Sequence, residues 1–182
     1  MKIKNFEEKI EIPEGVEVKI EDNIFSVSKD GKTNKKLLHH KKIKLTVEEN
    51  SIKMQMLKGR KEEKSMIGTF RAHIKNMFKG ITEGHIYRLK ICSGHFPMNV
   101  ALKGDKFVVT NFVGEKTPRE LLIKEGATVK IEGELVTVEG NDKERVAQTA
   151  ADIELLTKIK GKDLRIYQDG IYITEKDGKE II

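Results

Sequence analysis

Two stretches of this chain follow the same grammar, short alternating strands and then one amphipathic helix. In the first, Val16, Val18 and Ile20 alternate with polar residues, as do Ile43, Leu45 and Val47, and then Ile52, Met54 and Met56. A helix over about 62–79 follows, with Met66, Ile67, Phe70, Ile74, Met77 and Phe78 on one face and Gly80 ending it. In the second, candidate strands cover Tyr87–Ile91, Met98–Leu102, Phe107–Thr110, Leu121–Ile123, Val129–Ile131 and Leu135–Val138. Gly140-Asn141-Asp142 then opens a second helix, about 142–158, with Val146, Ala150, Ile153 and Leu156 inward. An offset of 79 residues places Lys64 on Lys143, Gly68 on Ala147, Ala72 on Ala151 and Ile74 on Ile153. The identities are few, and the repeated order carries the argument. It predicts an α+β fold of two tandem duplicated domains, each a small, mostly antiparallel sheet packed against one helix. The N-terminal domain is expected over residues 1–81 and the C-terminal domain over 82–182.

After the second helix comes a basic loop, Lys158-Ile159-Lys160-Gly161-Lys162. A hairpin is expected next, with Arg165-Ile166-Tyr167 and Ile171-Tyr172-Ile173 flanking a turn at Gln168-Asp169-Gly170. The last segment, residues 174–182, holds a second Asp-Gly at Asp177-Gly178 and is expected to form a tail mobile at its end.

Of the 182 residues, 37% are hydrophobic and 35% charged, a globular balance long enough to bury a core. No apolar run approaches the ~20 residues of a membrane span, and the N-terminus has no apolar signal region. A cytoplasmic protein with no membrane partner is expected. Cys92 is the only cysteine, which excludes an intramolecular disulfide and a multi-cysteine zinc site.

The charge is unevenly placed. Residues 29–44 hold seven Lys and one Asp, a surplus equal to the +6 of the whole chain. Residues 64–90 carry six basic side chains against Glu83 alone, whereas residues 1–25 and 120–144 each carry seven acids and fewer lysines. Such polarity predicts a basic surface that meets a polyanion.

Motifs for catalysis are missing. Ser26-Val27-Ser28-Lys29-Asp30-Gly31-Lys32-Thr33 has Ser where a phosphate-cradling loop needs Gly, and no helical pattern follows it. Lys29-Asp30-Gly31 reads as a turn between strands. The five histidines form no metal constellation, so neither a metal nor another cofactor is expected. Cys92 and His95 suggest at most a thiolate–imidazole pair, and a lone Cys at a strand end is more often a small buried hydrophobe.

Nucleic-acid signals lie in position, not in a readout motif. Lys outnumbers Arg 29 to 6 and aromatics are 5% of the chain, so no aromatic platform for single-stranded bases is present. This composition predicts salt-sensitive contacts to the phosphates of a folded RNA. Candidate contacts are a basic loop over 32–42, with Lys35, Lys36, His39 and Lys41; Lys58 and Arg60; and the segment holding Lys158, Lys160, Lys162 and Arg165.

Five motifs then occur in order: Gly94-His95-Phe96-Pro97-Met98-Asn99-Val100, Asn111-Phe112-Val113-Gly114-Glu115-Lys116, Glu139-Gly140-Asn141-Asp142, Ala150-Ala151-Asp152-Ile153 and Gln168-Asp169-Gly170-Ile171-Tyr172-Ile173. Together the chain resembles the family of large-subunit ribosomal protein six, bacterial numbering, in its archaeal and eukaryotic form. The resemblance covers essentially the whole chain and is strongest in the second half. It implies a non-enzymatic structural protein of the cytoplasmic ribosome with a duplicated α+β domain. Its implied partners are large-subunit rRNA near the sarcin–ricin loop and neighbouring large-subunit proteins, close to where translational GTPase factors dock. It implies that the second domain makes most of the RNA contact, including Lys160, Lys162 and Arg165, and it adds His95, Lys116, Arg119 and Lys176 as candidates in or beside the motifs. Two other classes compete: an RNA-processing enzyme using Cys92 and His95, and a free RNA chaperone or translational regulator.

Overall fold

The computed structural model describes residues 3–181, and of these the side chains of residues 3–5, 57 and 58 lie outside the description. The chain divides into two compact units between Glu83 and Gly84.

In the first unit, β1 (Ile3–Glu11), β6 (Ser51–Gly59) and β5 (Ile43–Glu48) form one antiparallel sheet in the order β1-β6-β5. β2 (Glu17–Glu21), β3 (Ile24–Lys29) and β4 (Lys32–Leu37) form a second. Two of the turns have the left-handed pairs that a two-residue hairpin needs, Asp22-Asn23 at φ 48° and 66° and Asp30-Gly31 at 49° and 78°. Period-two alternation buries Phe25 and Val27 from β3 and Ile52, Met54 and Met56 from β6. Helix α1 (Lys61–Thr82) covers them with Ile67, Phe70, Ile74, Met77, Phe78 and Ile81. Each fully buried side chain of this size contributes about 1.5–3 kcal/mol.

Three expectations for this unit change. Met66 lies on the exposed side of α1. Gly80 is a buried interior position; α1 runs on to Thr82 so that Ile81 can close the core, and Gly84, at φ 82°, supplies the left-handed residue beyond the end. The expected basic loop begins as strand, because residues 32–37 pair with β3 and bury Asn34.

The second unit repeats the plan with a larger sheet. β7 (His85–Cys92), β11 (Ala127–Glu132), β12 (Leu135–Gly140), β13 (Gly170–Lys176) and β14 (Lys179–Glu180) pair antiparallel in the order β11-β12-β7-β13-β14. β8 (Asn99–Lys103), β9 (Lys106–Thr110) and β10 (Arg119–Leu122) form a three-stranded meander. Helix α2 (Lys143–Leu156) starts at Asp142, whose carboxylate accepts from the Glu144 amide at 2.9 Å. It buries Val146, Ala150 and Ile153 against Leu89, Val136, Val138 and Ile171.

The expected hairpin around Gln168-Asp169-Gly170 does not form. Residues 163–167 make a turn, and β13 starts at Gly170 and pairs with β7, so Ile171 and Ile173 enter the core instead of facing Arg165–Tyr167. The true two-residue turn is the next Asp-Gly, Asp177-Gly178 at φ 55° and 86°, between β13 and β14. Residues 174–176 and 179–180 are therefore sheet. No described helix is long and apolar enough to cross a membrane.

Candidate nucleic-acid interface

Three segments of the second unit converge at one end of β7. They are the loop 93–98 after β7, the segment 111–118 between β9 and β10, and the connection 157–169 between α2 and β13. Asp169 ties the first to the third. It is 1% exposed, and its carboxylate accepts from the His95 amide at 2.9 Å and faces His95 Nδ1 at 2.9 Å. Burial alone pushes this carboxyl up. The His95 amide and ring, with the Phe96 and Gly94 amides, outweigh that and hold it at about 2. The Asn111 side-chain amide donates to the Pro97 carbonyl at 2.9 Å, which ties the first segment to the second.

Arg119 joins the second segment to the third. Its guanidinium grips Glu115 through two nitrogens at 2.5 and 2.8 Å, donates to the Leu156 carbonyl at 2.6 Å and lies 4.3 Å from the Phe112 ring centroid. The Arg119 pair, with Lys162 as a weaker influence, keeps the Glu115 carboxyl below its ordinary value. Within this segment Asn111, Val113 and Gly114 all take positive φ, at 58°, 51° and 79°. For a β-branched residue such as Val113 this backbone is strained, and the Arg119, Glu115 and Asn111 contacts hold it.

Cations crown this scaffold. Ile159 is buried, so its neighbours Lys158 and Lys160 are both turned outward, and both are exposed. Lys116 is exposed as well, and among the described residues none of the three makes an ion pair. Lys162 Nζ lies 4.5 Å from the Tyr167 ring centroid, and the His95 ring is 4.9 Å from the same ring. Arg165 is 90% exposed, yet its guanidinium is held by Asp163 at 2.8 and 3.1 Å within the turn.

The structure thus gathers His95, Lys116, Arg119, Lys158, Lys160, Lys162 and Arg165 into one unit's loop cluster. It makes Arg119 chiefly a tie between segments and gives Arg165 an acidic partner. Lys176 is not among them. β13 enters opposite Cys92 and ends with Lys176 opposite Tyr87, about 20 Å along the strand.

The remaining candidates belong to the first unit. Lys35 is exposed on the edge strand β4, and Lys36 beside it is half-buried. His39 and Lys41 are exposed in the loop before β5. Arg60 stands at the start of α1, where its amide donates to Glu63 Oε2 at 2.6 Å. Lys42 reaches Glu63 at 2.5 Å and pins that loop to the helix. Lys42 and the Arg60 and Glu63 amides hold the Glu63 carboxyl at about 2. The Lys58 side chain lies outside the described residues.

The residue that sequence reasoning missed is Asp169, taken as a turn. The apolar run Ile171-Tyr172-Ile173 directly after it was the available sign that the chain enters a core there. The Cys92–His95 pairing has no structural support, because the His95 nitrogen on the protein side faces Asp169 while Cys92 stands opposite Gly170 in the sheet. Among the described residues no three His, Cys, Asp or Glu side chains are grouped to hold a metal ion.

Comparison with known proteins agrees with the duplicated fold. The family model for ribosomal protein L6 matches twice, over residues 12–84 and 96–170. The large ribosomal subunit protein uL6 of Methanococcus vannielii is 46% identical over 172 residues, covering 94% of each chain. The uL6 proteins of Aeropyrum pernix and Methanobrevibacter smithii are each 43% identical over 93% of this chain, and over 94% and 96% of their own. With the model matched in both halves and this identity along nearly the whole length, the chain belongs to the ribosomal protein L6 family, a structural, non-enzymatic family of the large ribosomal subunit.

Proposed function

We propose that this protein is a structural component of the large subunit of cytoplasmic ribosomes that clamps large-subunit rRNA with the loop cluster of its second unit. The observation that carries this reading is the set of outward, acid-free lysines Lys116, Lys158 and Lys160, joined by Lys162, on three segments locked together by Asp169 and Arg119. A loop cluster ordered before binding loses little entropy when it meets a rigid RNA surface. Lysine point charges contact phosphates without needing a base code, which suits a folded RNA whose deep groove side chains cannot read. Lys35, His39, Lys41 and Arg60 of the first unit add a second, weaker set of contacts, with Lys36 and Lys58 beside them. Lys176, at the far end of β13, meets a separate stretch of RNA or a neighbouring large-subunit protein. The target region is the sarcin–ricin loop, beside the docking place of translational GTPases.

The test is charge reversal of Lys158, Lys160 and Lys162 together, followed by sedimentation of assembled particles through a sucrose gradient. The triple variant is expected to stay at the top while the wild-type protein travels with large subunits. Each lysine removed singly is expected to reduce the slope of log affinity against log salt by about one. Normal incorporation of the triple variant refutes the clamp. Cleavage footprinting of the bound rRNA checks the location, since protection confined to nucleotides remote from the sarcin–ricin loop excludes it.

A further inference from the structure

The His95 ring is held in an unusual way for a residue on a phosphate-binding surface. Its Nδ1 lies 2.9 Å from an Asp169 oxygen, and that carboxylate is itself 99% buried and fixed by backbone amides. A buried, ionised carboxylate accepts and does not donate, so Nδ1 carries the hydrogen and neutral His95 has its lone pair on Nε2. The side chain is 41% exposed, and Nε2 has no partner among the described residues.

We propose, resting on the reading of this cluster as an RNA interface, that His95 is a proton-linked contact whose Nε2 takes up a proton when a backbone phosphate of the RNA docks against it. In the neutral form Nε2 offers a lone pair to the phosphate oxygen, which repels it. In the protonated form it donates a charge-assisted hydrogen bond, and the imidazolium lies between two anions, Asp169 behind and the phosphate in front. The charged groups on the segments packed with the ring are Asp169, Lys162, Glu115 and Arg119, together with the exposed Lys116, Lys158 and Lys160. Asp169, from the connection before β13, faces Nδ1 at 2.9 Å. Lys162, from the same connection, contacts the Tyr167 ring that His95 also contacts. Glu115 and Arg119, from the segment before β10, neutralise one another in their bidentate pair. Among these groups only the Asp169 carboxylate lies within hydrogen-bond distance of the ring.

The experiment measures affinity for a transcribed fragment of large-subunit rRNA containing the sarcin–ricin loop, from pH 8 to pH 5.5 at constant ionic strength. Wild type and His95→Gln are compared, and a thermal melt of each establishes that both are folded. The wild-type affinity is expected to rise on acidification, to a limit of about tenfold per pH unit for one proton taken up. The difference between the two profiles isolates His95 from the other four histidines. A second readout needs no variant: nitrogen NMR of the free protein is expected to show the Nδ1–H form at high pH, and added RNA is expected to move the His95 titration to higher pH. Parallel profiles, an unmoved titration, or a wild-type affinity that falls on acidification by the amount His95→Gln removes (the mark of Nε2 accepting from a 2′-hydroxyl) overturn the proposal while leaving the interface intact. Failure of the wild-type protein to bind the fragment at any pH overturns the interface and the proton link together.

Discussion

At the scale of single residues, the second unit places its most consequential charge where no solvent reaches it. Asp169 orders the loop 93–98 through backbone amides, orients His95, and leads the chain into β13. Its carboxyl is held at about 2 in the folded protein, below the roughly 3.9 of an unfolded aspartate. The folded state therefore gains stability from this group above about pH 4 and loses it as pH falls from there toward 2. Glu63, also held at about 2, acts in the same direction in the first unit. Denaturant midpoints measured from pH 6 to pH 2 are expected to fall through this window, and Asp169→Asn is expected to flatten part of the fall. An unchanged slope in that variant means that Asp169 is not ionised and paired as described.

At the scale of elements, glycines separate what a pattern implies from what packing demands. Gly140 ends β12 just ahead of α2, and its backbone needs no special conformation. Its constraint is space, because a Cβ there would lie 2.4 Å from the Gly126 carbonyl oxygen and 2.8 Å from Val146 Cγ2. Gly140→Ala must push apart two backbone segments or dislodge the first buried residue of α2. It is expected to destabilise the second unit by about 1–3 kcal/mol, read by chemical denaturation. In α1, Ile74 is wholly buried, and Ile74→Ala is expected to cost about 2–5 kcal/mol in the first unit. If either change leaves the midpoint where it was, the packing described at that site is wrong. The two Asp-Gly pairs near the C-terminus make the same point. Local turn chemistry is equal in both, yet only Asp177-Gly178 turns, because Asp169 has a loop to bind and Ile171 has a core to enter.

At the scale of the whole molecule, duplication supplies two cores, and the +6 surplus lies wholly in the first unit, while the second is balanced at 16 basic and 16 acidic side chains. Among the first unit's lysines, Lys32, Lys35 and Lys36 lie on an edge strand and Lys41 on a neighbouring loop, where the strand's cations also guard it against pairing with another chain. The second carries fewer, but on segments tied to one another by Asp169, Asn111 and Arg119. Ordered cations are expected to dominate binding. Replacing Lys35, Lys41 and Arg60 by Glu should therefore weaken rRNA affinity far less than the same change at Lys158, Lys160 and Lys162, measured by filter binding at one salt concentration. Equal losses would mean that the surplus charge, and not its organisation, sets the affinity.

Both helices, the alternating face of β6, the strand β7 and the repeat itself were legible without coordinates, because side chains two, three and four positions apart share a face whatever lies opposite. The stretch that forms β3, with its buried Phe25 and Val27, was not read as a strand. The motifs sufficed for the family as well. Which cations are available was not legible. Arg165 and Arg119 look as basic as Lys160 in a string of letters, and only the folded chain sets Asp163 and Glu115 against them. His95 and Asp169 stand 74 residues apart. Periodicity encodes which way a side chain points, but what it meets depends on how distant segments close over one core, and that was decided by tertiary packing alone.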